Sequence, residues 1–186
     1  MRGATLYGMP IQGGLNRNAE TWRLLYSGER FLNLSFSEKD FVVIGETETS
    51  MLKKGFISVG KKFPVFLHPK TKEEYALARK EKKIAIGHQG FSFEPDDTVT
   101  LEEDLSRRDL TINAIAEDEK GNLIDPFGGQ KDLKEKILRH VSPAFSEDPL
   151  RIFRVARFAT KFFALNFEVD KSTIALMKSI PKKEIE

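Results

Sequence analysis

A short acidic and apolar segment, Glu38-Lys39-Asp40-Phe41-Val42-Val43-Ile44-Gly45, is the most informative part of the 186-residue sequence. Its aromatic and β-branched run, closed by a glycine, predicts a strand followed by a turn. Because side chains alternate along a strand, Glu38 and Asp40 are expected on the same side of it. Two carboxylates on one face suit the shared divalent cations of nucleotidyl transfer. Taken alone, however, such a triplet is more often a solvated strand edge.

A third acid follows later in the chain. Glu74 opens a predicted strand at 74–79, and further predicted strands lie at 56–59 and 63–67, with a short helix at 46–54. Together these elements predict a small mixed sheet. If the last strand is a neighbour of the first, Glu74 brings a third carboxylate to the acid pair. A surface glutamate on an edge strand is an equally good interpretation.

The composition is that of a globular protein, with 40% apolar and 31% charged residues. The absence of cysteine excludes disulfides, thiolate zinc sites and cysteine nucleophiles. No segment approaches the roughly 20 apolar residues that a membrane helix needs, and none resembles a signal peptide, so we expect a cytoplasmic protein without membrane contact. The net charge of +2 indicates no particular partner by itself.

The pattern changes from strands to helices toward the end of the chain. Residues 80–98, rich in Lys, Gly and Asp, are predicted to be a mobile loop. The pair Asp148-Pro149 is typical of a helix start and predicts a helix at 150–163, and a second helix is predicted at 171–179. Strands first and helices later indicate an α+β fold with a helical extension.

Two arginines and an aspartate stand together in Arg107-Arg108-Asp109-Leu110-Thr111-Ile112-Asn113-Ala114. Guanidinium groups suit triphosphate oxygens, and Asp or Asn suits ribose hydroxyls. The alternative is an ion-paired helix start in which Asp109 neutralises an arginine. Composition alone favours that alternative.

Arginine also recurs every three residues, at Arg151, Arg154 and Arg157, on the first predicted helix. At about 100° per residue the three spread over about 120° of the helix surface. Such a stripe on a packed helix is suited to reading anions or base edges, although a basic solvent face explains it equally well. The opposite side is expected to be buried and carries Ile152, Phe153, Val155, Ala156, Phe158 and Ala159.

Taken in order, these segments resemble the class II tRNA nucleotidyltransferases, the CCA-adding enzymes, and especially their bacterial branch. Two further blocks support the resemblance, Asp125-Pro126-Phe127-Gly128-Gly129 and the run from Leu138 through Arg139-His140-Val141-Ser142-Pro143 to Arg151. The match runs from about residue 29 to about residue 178. Five blocks in the same order make coincidence improbable.

The resemblance implies a polymerase-β-like nucleotidyltransferase head at 28–140, a small mixed sheet with flanking helices, followed by an α-helical neck. Residues 141–186 would be the truncated start of that nucleotide- and RNA-binding neck, and residues 1–27 an atypical N-terminal segment. It also implies the reaction: template-independent addition of C, C and A to the 3′ end of tRNA from CTP and ATP, with Mg²⁺ and release of pyrophosphate.

The resemblance assigns roles to seven residues of this sequence. Glu38 and Asp40 fall where the family binds metal, and Glu74 falls where a third catalytic acid stands. The nucleotide-contacting positions correspond to Arg108, Asp109, Arg154 and Arg157.

This chain departs from the family pattern at two positions near the acid pair. Glu38 replaces the usual aspartate and adds one methylene, which displaces its carboxylate by about 1 Å. The family's Gly-Gly turn for the triphosphate aligns without gaps to Leu24-Leu25, whereas Gly13-Gly14 lies too far upstream. Two alternatives therefore stay open, a bacterial poly(A) polymerase and a noncatalytic nucleotide- or RNA-binding remnant.

Overall fold

The computed structural model describes residues 5–6, 9–10, 19–25, 32, 40–59, 65–83, 91–95 and 97–181. The strands are β1 (Thr5–Leu6), β2 (Met9–Pro10), β3 (Glu20–Leu24), β4 (Asp40–Ile44), β5 (Ile57–Ser58), β6 (Val65–Leu67), β7 (Glu74–Leu77), β8 (Arg79–Lys83), β9 (Phe91–Pro95), β10 (Ala116–Glu117), β11 (Leu123–Ile124), β12 (Ile137–Leu138) and β13 (Glu168–Val169). The helices are α1 (Glu48–Lys53), α2 (Leu101–Ser106), α3 (Gly129–Glu135), α4 (Leu150–Lys161) and α5 (Lys171–Ser179), with 3₁₀ turns at Thr111–Asn113, Pro143–Glu147 and Phe163–Leu165.

The main sheet has seven strands in the order β11-β10-β3-β4-β7-β6-β5. It is mixed, because β4 and β7 run parallel while β3 pairs with β4 antiparallel. The predicted α+β fold, a small mixed sheet with flanking helices, is confirmed. Strand β3 belongs to the segment that we expected to be atypical, and it nevertheless lies beside the acid-bearing strand.

Strand β4 lies at the centre of this sheet and is buried on both faces. Phe41 and Val43 pack on one face against α1 and β7, in a cluster that includes Tyr75. Val42 packs on the other face, in a second cluster that includes Leu105 of α2. This short β-branched and aromatic segment therefore forms a strand because packing on both faces of the sheet removes its apolar side chains from water.

A third cluster joins the sheet region to the helices that follow it. It contains Leu110, Ile112 and Leu138 together with Val155 and Phe162, all of them buried. Residues from both sides of position 140 thus contribute to one apolar core. The boundary at 140, and a separate neck beyond it, stay predictions.

The prediction of a loop at 80–98 is wrong near both ends of that segment, where the structure has strands. Strands β8 and β9 form an antiparallel pair in the register Arg79↔Pro95 to Lys83↔Phe91. The sequence of β8 is Arg-Lys-Glu-Lys-Lys. Lysine and glutamate have low strand propensity, so this charged segment is typical of a solvated loop. The alternation of Phe91 and Phe93 was the strand signal in this segment.

The two long helices form where they were predicted. Helix α5 begins and ends at the predicted residues, and α4 ends two residues earlier than expected. Asp148 accepts a hydrogen bond from the backbone N–H of Leu150 at 3.0 Å, as expected of an acid at a helix start. Among the described residues, no helix combines the length and apolar character needed to cross a bilayer.

The predicted buried face of α4 is partly wrong. Phe153 is 55% exposed and Ala156 is exposed, whereas Arg151 is buried. The centre of the buried face is Val155, and Arg151 precedes it by four residues, about one helical turn. Phe153 lies about 160° from Val155 and faces solvent.

Candidate active site

Asp40 and Glu74 form the acidic part of the candidate site. They are register partners on the parallel strands β4 and β7, so their Cα atoms lie about one strand spacing, roughly 4.8 Å, apart. Partners in a ladder project from the same face of a sheet. Asp40 is half-buried and Glu74 is exposed, which places both at the rim of this face. The structure thus shows the neighbouring strands on which the third-acid prediction depended.

These two carboxylates suit a divalent cation, because hard oxygen ligands are what Mg²⁺ and similar ions prefer. Among residues 40–59, 65–83 and the other described segments, no group of three or more potential metal ligands comes together. The other member of the predicted pair, Glu38, lies outside the described residues. Asp40 and Glu74 are therefore the described part of the candidate metal site.

Two leucines occupy the sequence position at which the resemblance implies a glycine turn. Leu24, at the end of β3, is the register partner of Asp40 and is buried. Leu25 is also buried, and its backbone N–H donates to the carbonyl oxygen of Ile115 at 3.0 Å. A backbone cradle for phosphate needs N–H groups that point at the ligand. The N–H of Leu25 is already engaged within the protein.

Helix α2 covers the face of the sheet that carries Asp40 and positions two arginines at its end. Leu105 of α2 packs in the same cluster as Val42 of β4. Asp104 is completely buried, and its two carboxylate oxygens form ion pairs with Arg107 and Arg108. The side chain of Arg108, a predicted nucleotide contact, is only 9% exposed.

The ion pairs of Asp104 predict a specific dependence of stability on pH. Burial alone would raise the pKa of Asp104, but the charges and hydrogen bonds of Arg107 and Arg108 outweigh it and hold the pKa below its ordinary value of 3.8. A carboxyl group with a depressed pKa stabilises the fold above its unfolded pKa, and this contribution is lost as the pH falls through the folded value.

We therefore expect the free energy of unfolding to decrease as the pH falls below about 4. The difference between the unchanged protein and Asp104→Asn should shrink over the same range. Urea unfolding at pH 7, 5 and 3 measures both, with Glu102→Gln, an exposed acid on the same helix, as the control. A difference that stays constant from pH 7 to pH 3 contradicts the assignment.

Asp109 connects the arginine segment to α4. Its Oδ2 accepts a hydrogen bond from Nε of Arg154 at 2.6 Å, and its Oδ1 accepts one from the side-chain amide of Asn113 at 3.0 Å. Asp109 is buried, whereas the Arg154 side chain is 50% exposed. The pair thus fixes one edge of a guanidinium while much of that side chain still faces solvent.

The arginine stripe of α4 does not lie on a single exposed face. Arg151 is buried and donates to the carbonyl oxygens of Ala144 at 2.7 Å and Arg107 at 2.6 Å. Arg154 pairs with Asp109, and Arg157 is exposed. The stripe therefore runs across the helix from core to solvent. Of its three members, Arg154 and Arg157 are accessible to a ligand.

Two residues that shape this site, Asp104 and Arg151, were not predicted from the sequence. Asp104 was missed although it has arginines three and four residues after it, the spacing of an ion pair on a helix. The structural role of Arg151 was missed although it lies one turn before Val155, on the buried face. Both roles depend on burial, which a list of charged residues does not reveal.

A cavity of about 400 Å³ lies at the other end of β4. Its lining includes Ile44, Gly45, Glu20 and Asp97 and contains neither lysine nor arginine among the described residues. A polyphosphate needs cationic partners, so this cavity is a poor nucleotide site. Asp40 stands four residues away from it along the strand, at the opposite end.

Residues 30–139 match the family described as the Poly A polymerase head domain, and this span is more than half of the chain. The chain belongs to the poly A polymerase head-domain family. Asp40, Glu74, Arg108 and Asp109 all lie within the matched head domain, whereas Arg154 and Arg157 follow it.

Known proteins similar to this head domain are CCA-adding enzymes. The CCA-adding enzyme of Alteromonas mediterranea is 60% identical over 152 residues, which are 82% of this chain and 38% of that enzyme. The chain thus spans well under half the length of this relative.

Solved structures similar to this chain also include CCA-adding enzymes and tRNA nucleotidyltransferases. The CCA-adding enzyme of Bacillus stearothermophilus in complex with CTP has a TM-score of 0.67 at 27% identity, over 86% of this chain and 38% of that one. A tRNA nucleotidyltransferase complexed with a primer tRNA and an incoming ATP analogue has a TM-score of 0.62 at 32% identity, over 87% of this chain and 46% of that one.

Proposed function

We propose that this chain carries the nucleotidyl-transfer site of a CCA-adding enzyme. Its substrates are CTP, ATP and the 3′ end of tRNA, and the protein acts in the cytoplasm. The observation that carries the proposal is the adjacency of Asp40 and Glu74 on a sheet face on which helix α2 packs, because Arg108 and Asp109 directly follow that helix. The similarity to CCA-adding enzymes over more than four fifths of the chain supports it.

The proposed reaction divides the site into an acidic and a basic part. The 3′ hydroxyl of tRNA attacks the α-phosphorus of the nucleotide and gives up its proton to solvent, a new P–O bond forms, and the bond to pyrophosphate breaks. Asp40 and Glu74 act on the side of the attacking hydroxyl, and the proposal assigns Glu38 to the same part of the site. The triphosphate and ribose are held by Arg108, Asp109, Arg154 and Arg157.

Nucleotidyltransferases generally use divalent metals, and we propose Mg²⁺ here. Asp40 and Glu74, together with Glu38, would hold it. The ion would lower the pKa of the attacking hydroxyl and stabilise the negative charge of the leaving pyrophosphate. The carboxylates themselves would offset the charge of the ion and orient the attacking hydroxyl.

A second candidate function is nucleotide or RNA binding without catalysis. Leu24 and Leu25 favour it, because buried leucines stand beside Asp40 and the Leu25 N–H is engaged with Ile115. In that case the arginines would bind a nucleotide, but the phosphates would not be aligned for transfer. A third candidate, poly(A) polymerase, is favoured by the family match at 30–139.

The products of one assay separate these functions. The 186-residue chain is incubated with Mg²⁺, labelled CTP and ATP, and tRNA lacking its terminal CCA, while CTP binding is followed by calorimetry. We expect the addition of three nucleotides with stoichiometric release of pyrophosphate. A long A tail indicates a poly(A) polymerase, and CTP binding without pyrophosphate release indicates the noncatalytic function. A chain that binds neither CTP nor tRNA and does not extend tRNA contradicts all three.

A further inference from the structure

Asp104 is a buried acid that the proposed reaction does not use directly. It lies on α2, and its carboxylate is shielded completely from solvent. Oδ1 accepts hydrogen bonds from Nε and Nη2 of Arg107 at 3.1 and 2.5 Å, and Oδ2 accepts one from Nη2 of Arg108 at 2.9 Å. One carboxylate therefore holds the guanidiniums of two consecutive residues.

The carboxylate of Asp104 reduces the electrostatic repulsion between the two adjacent guanidinium groups. Guanidinium groups on consecutive residues repel each other, and long arginine side chains lose considerable conformational entropy when a ligand orders them. The negative charge of Asp104 offsets this repulsion, and its two oxygens hold both arginine side chains in place before a ligand binds. Only 18% of Arg107 and 9% of Arg108 remain exposed.

The arginine pair is also fixed relative to α4. The carbonyl oxygen of Arg107 accepts a hydrogen bond from Nη2 of Arg151 at 2.6 Å. Immediately after the pair, Asp109 binds Arg154. Two contacts, at the carbonyl of Arg107 and at the carboxylate of Asp109, thus tie the segment that carries the arginine pair to α4.

We propose that Asp104 is a positioning residue that holds Arg107 and Arg108 as an ordered pair for the triphosphate of an incoming nucleotide. The inference rests on the proposed function, because it takes a nucleoside triphosphate as the ligand. It adds Arg107 to the phosphate-binding set and makes the affinity of Arg108 for phosphate dependent on a residue that never touches the ligand.

The test compares the CTP affinity of Asp104→Asn with that of the unchanged chain, measured by calorimetry with Mg²⁺. Asparagine keeps the size of the side chain and removes its charge, so we expect the dissociation constant to rise roughly tenfold as the two arginines lose their fixed positions. Asp104→Glu, which keeps the carboxylate, should give an intermediate value. Glu102→Gln is the matched control on α2 and should bind CTP like the unchanged chain.

A double-mutant cycle with Arg108→Gln separates positioning from general destabilisation. If Asp104 acts through the arginines, its replacement adds little to the loss that Arg108→Gln already causes. A merely structural role gives independent losses that add. Additive losses, or an unchanged CTP affinity in a folded Asp104→Asn protein, overturn the inference.

Nitrogen-15 NMR of the arginine side chains covers the case in which the Asp104 variants do not fold. In the unchanged chain, the Nε–H of Arg107 should exchange slowly with solvent and its resonance should shift when CTP is added. A resonance that stays in place while CTP binds overturns the positioning role and leaves the proposed function intact. A chain that binds no CTP at all contradicts the proposed function itself.

Discussion

Replacing Asp40 with asparagine should lower nucleotide incorporation about a thousandfold, or on the order of 4 kcal/mol in the activation barrier. The physical reason is that Asp40 and its register partner Glu74 form the described part of the acidic site. An amide is a weaker metal ligand and carries no charge to offset the cation. Single-turnover extension of tRNA lacking CCA measures the effect.

Glu20→Gln is the matched control for this prediction. Glu20 lies on the same sheet face as Asp40, but at the opposite end of the ladder, where it pairs with Ile44. The control should extend tRNA at the rate of the unchanged protein. If Asp40→Asn retains more than a tenth of that rate while the protein stays folded, Asp40 is not a catalytic ligand.

The largest effect on stability is expected from Phe162→Ala. Phe162 is completely buried in the cluster that joins the sheet region to the helices, and it packs on Phe167 with ring centroids 5.1 Å apart. Removing a buried phenylalanine costs about 3–5 kcal/mol, because burial energy is lost and a cavity remains. Urea unfolding followed by the fluorescence of Trp22, the only tryptophan, measures the loss.

The neighbouring residue provides a control for this effect. Phe163 is 79% exposed, so Phe163→Ala should change the free energy of unfolding by less than about 0.5 kcal/mol. Because Trp22 lies on β3, its signal reports a helix mutation only if the shared core couples the two regions. A Trp22 transition that is the same in Phe162→Ala and in the unchanged protein would show that the helices unfold separately.

Strand β4 and helix α5 were predictable because their signals are local. A β-branched run closed by Gly45 forms a strand when it is buried on both faces, and Pro181 follows the end of a regular helix. The pairing of Asp40 with Glu74 could be predicted only on the condition that their two strands are neighbours in the sheet. It depends on which strands are neighbours, and that order is set by packing across the whole sheet.

The burial of charged residues could not be predicted in the same way. Glu102, Glu103 and Asp104 look alike in sequence, yet only Asp104 is buried. Its carboxylate is stable there because two arginines satisfy it, and an unpaired buried carboxylate would be costly. Arg151 is buried for a similar reason, since the carbonyl oxygens of Ala144 and Arg107 accept its hydrogen bonds.

The most direct test is a crystal structure of the chain with Mn²⁺ in place of Mg²⁺ and with CTP. We expect an anomalous peak next to the carboxylates of Asp40 and Glu74, with the triphosphate extending toward Arg108 and Arg154. Nucleotide density in the cavity near Glu20 and Asp97, with no metal peak at Asp40, would contradict the assignment of this sheet face as the nucleotidyl-transfer site.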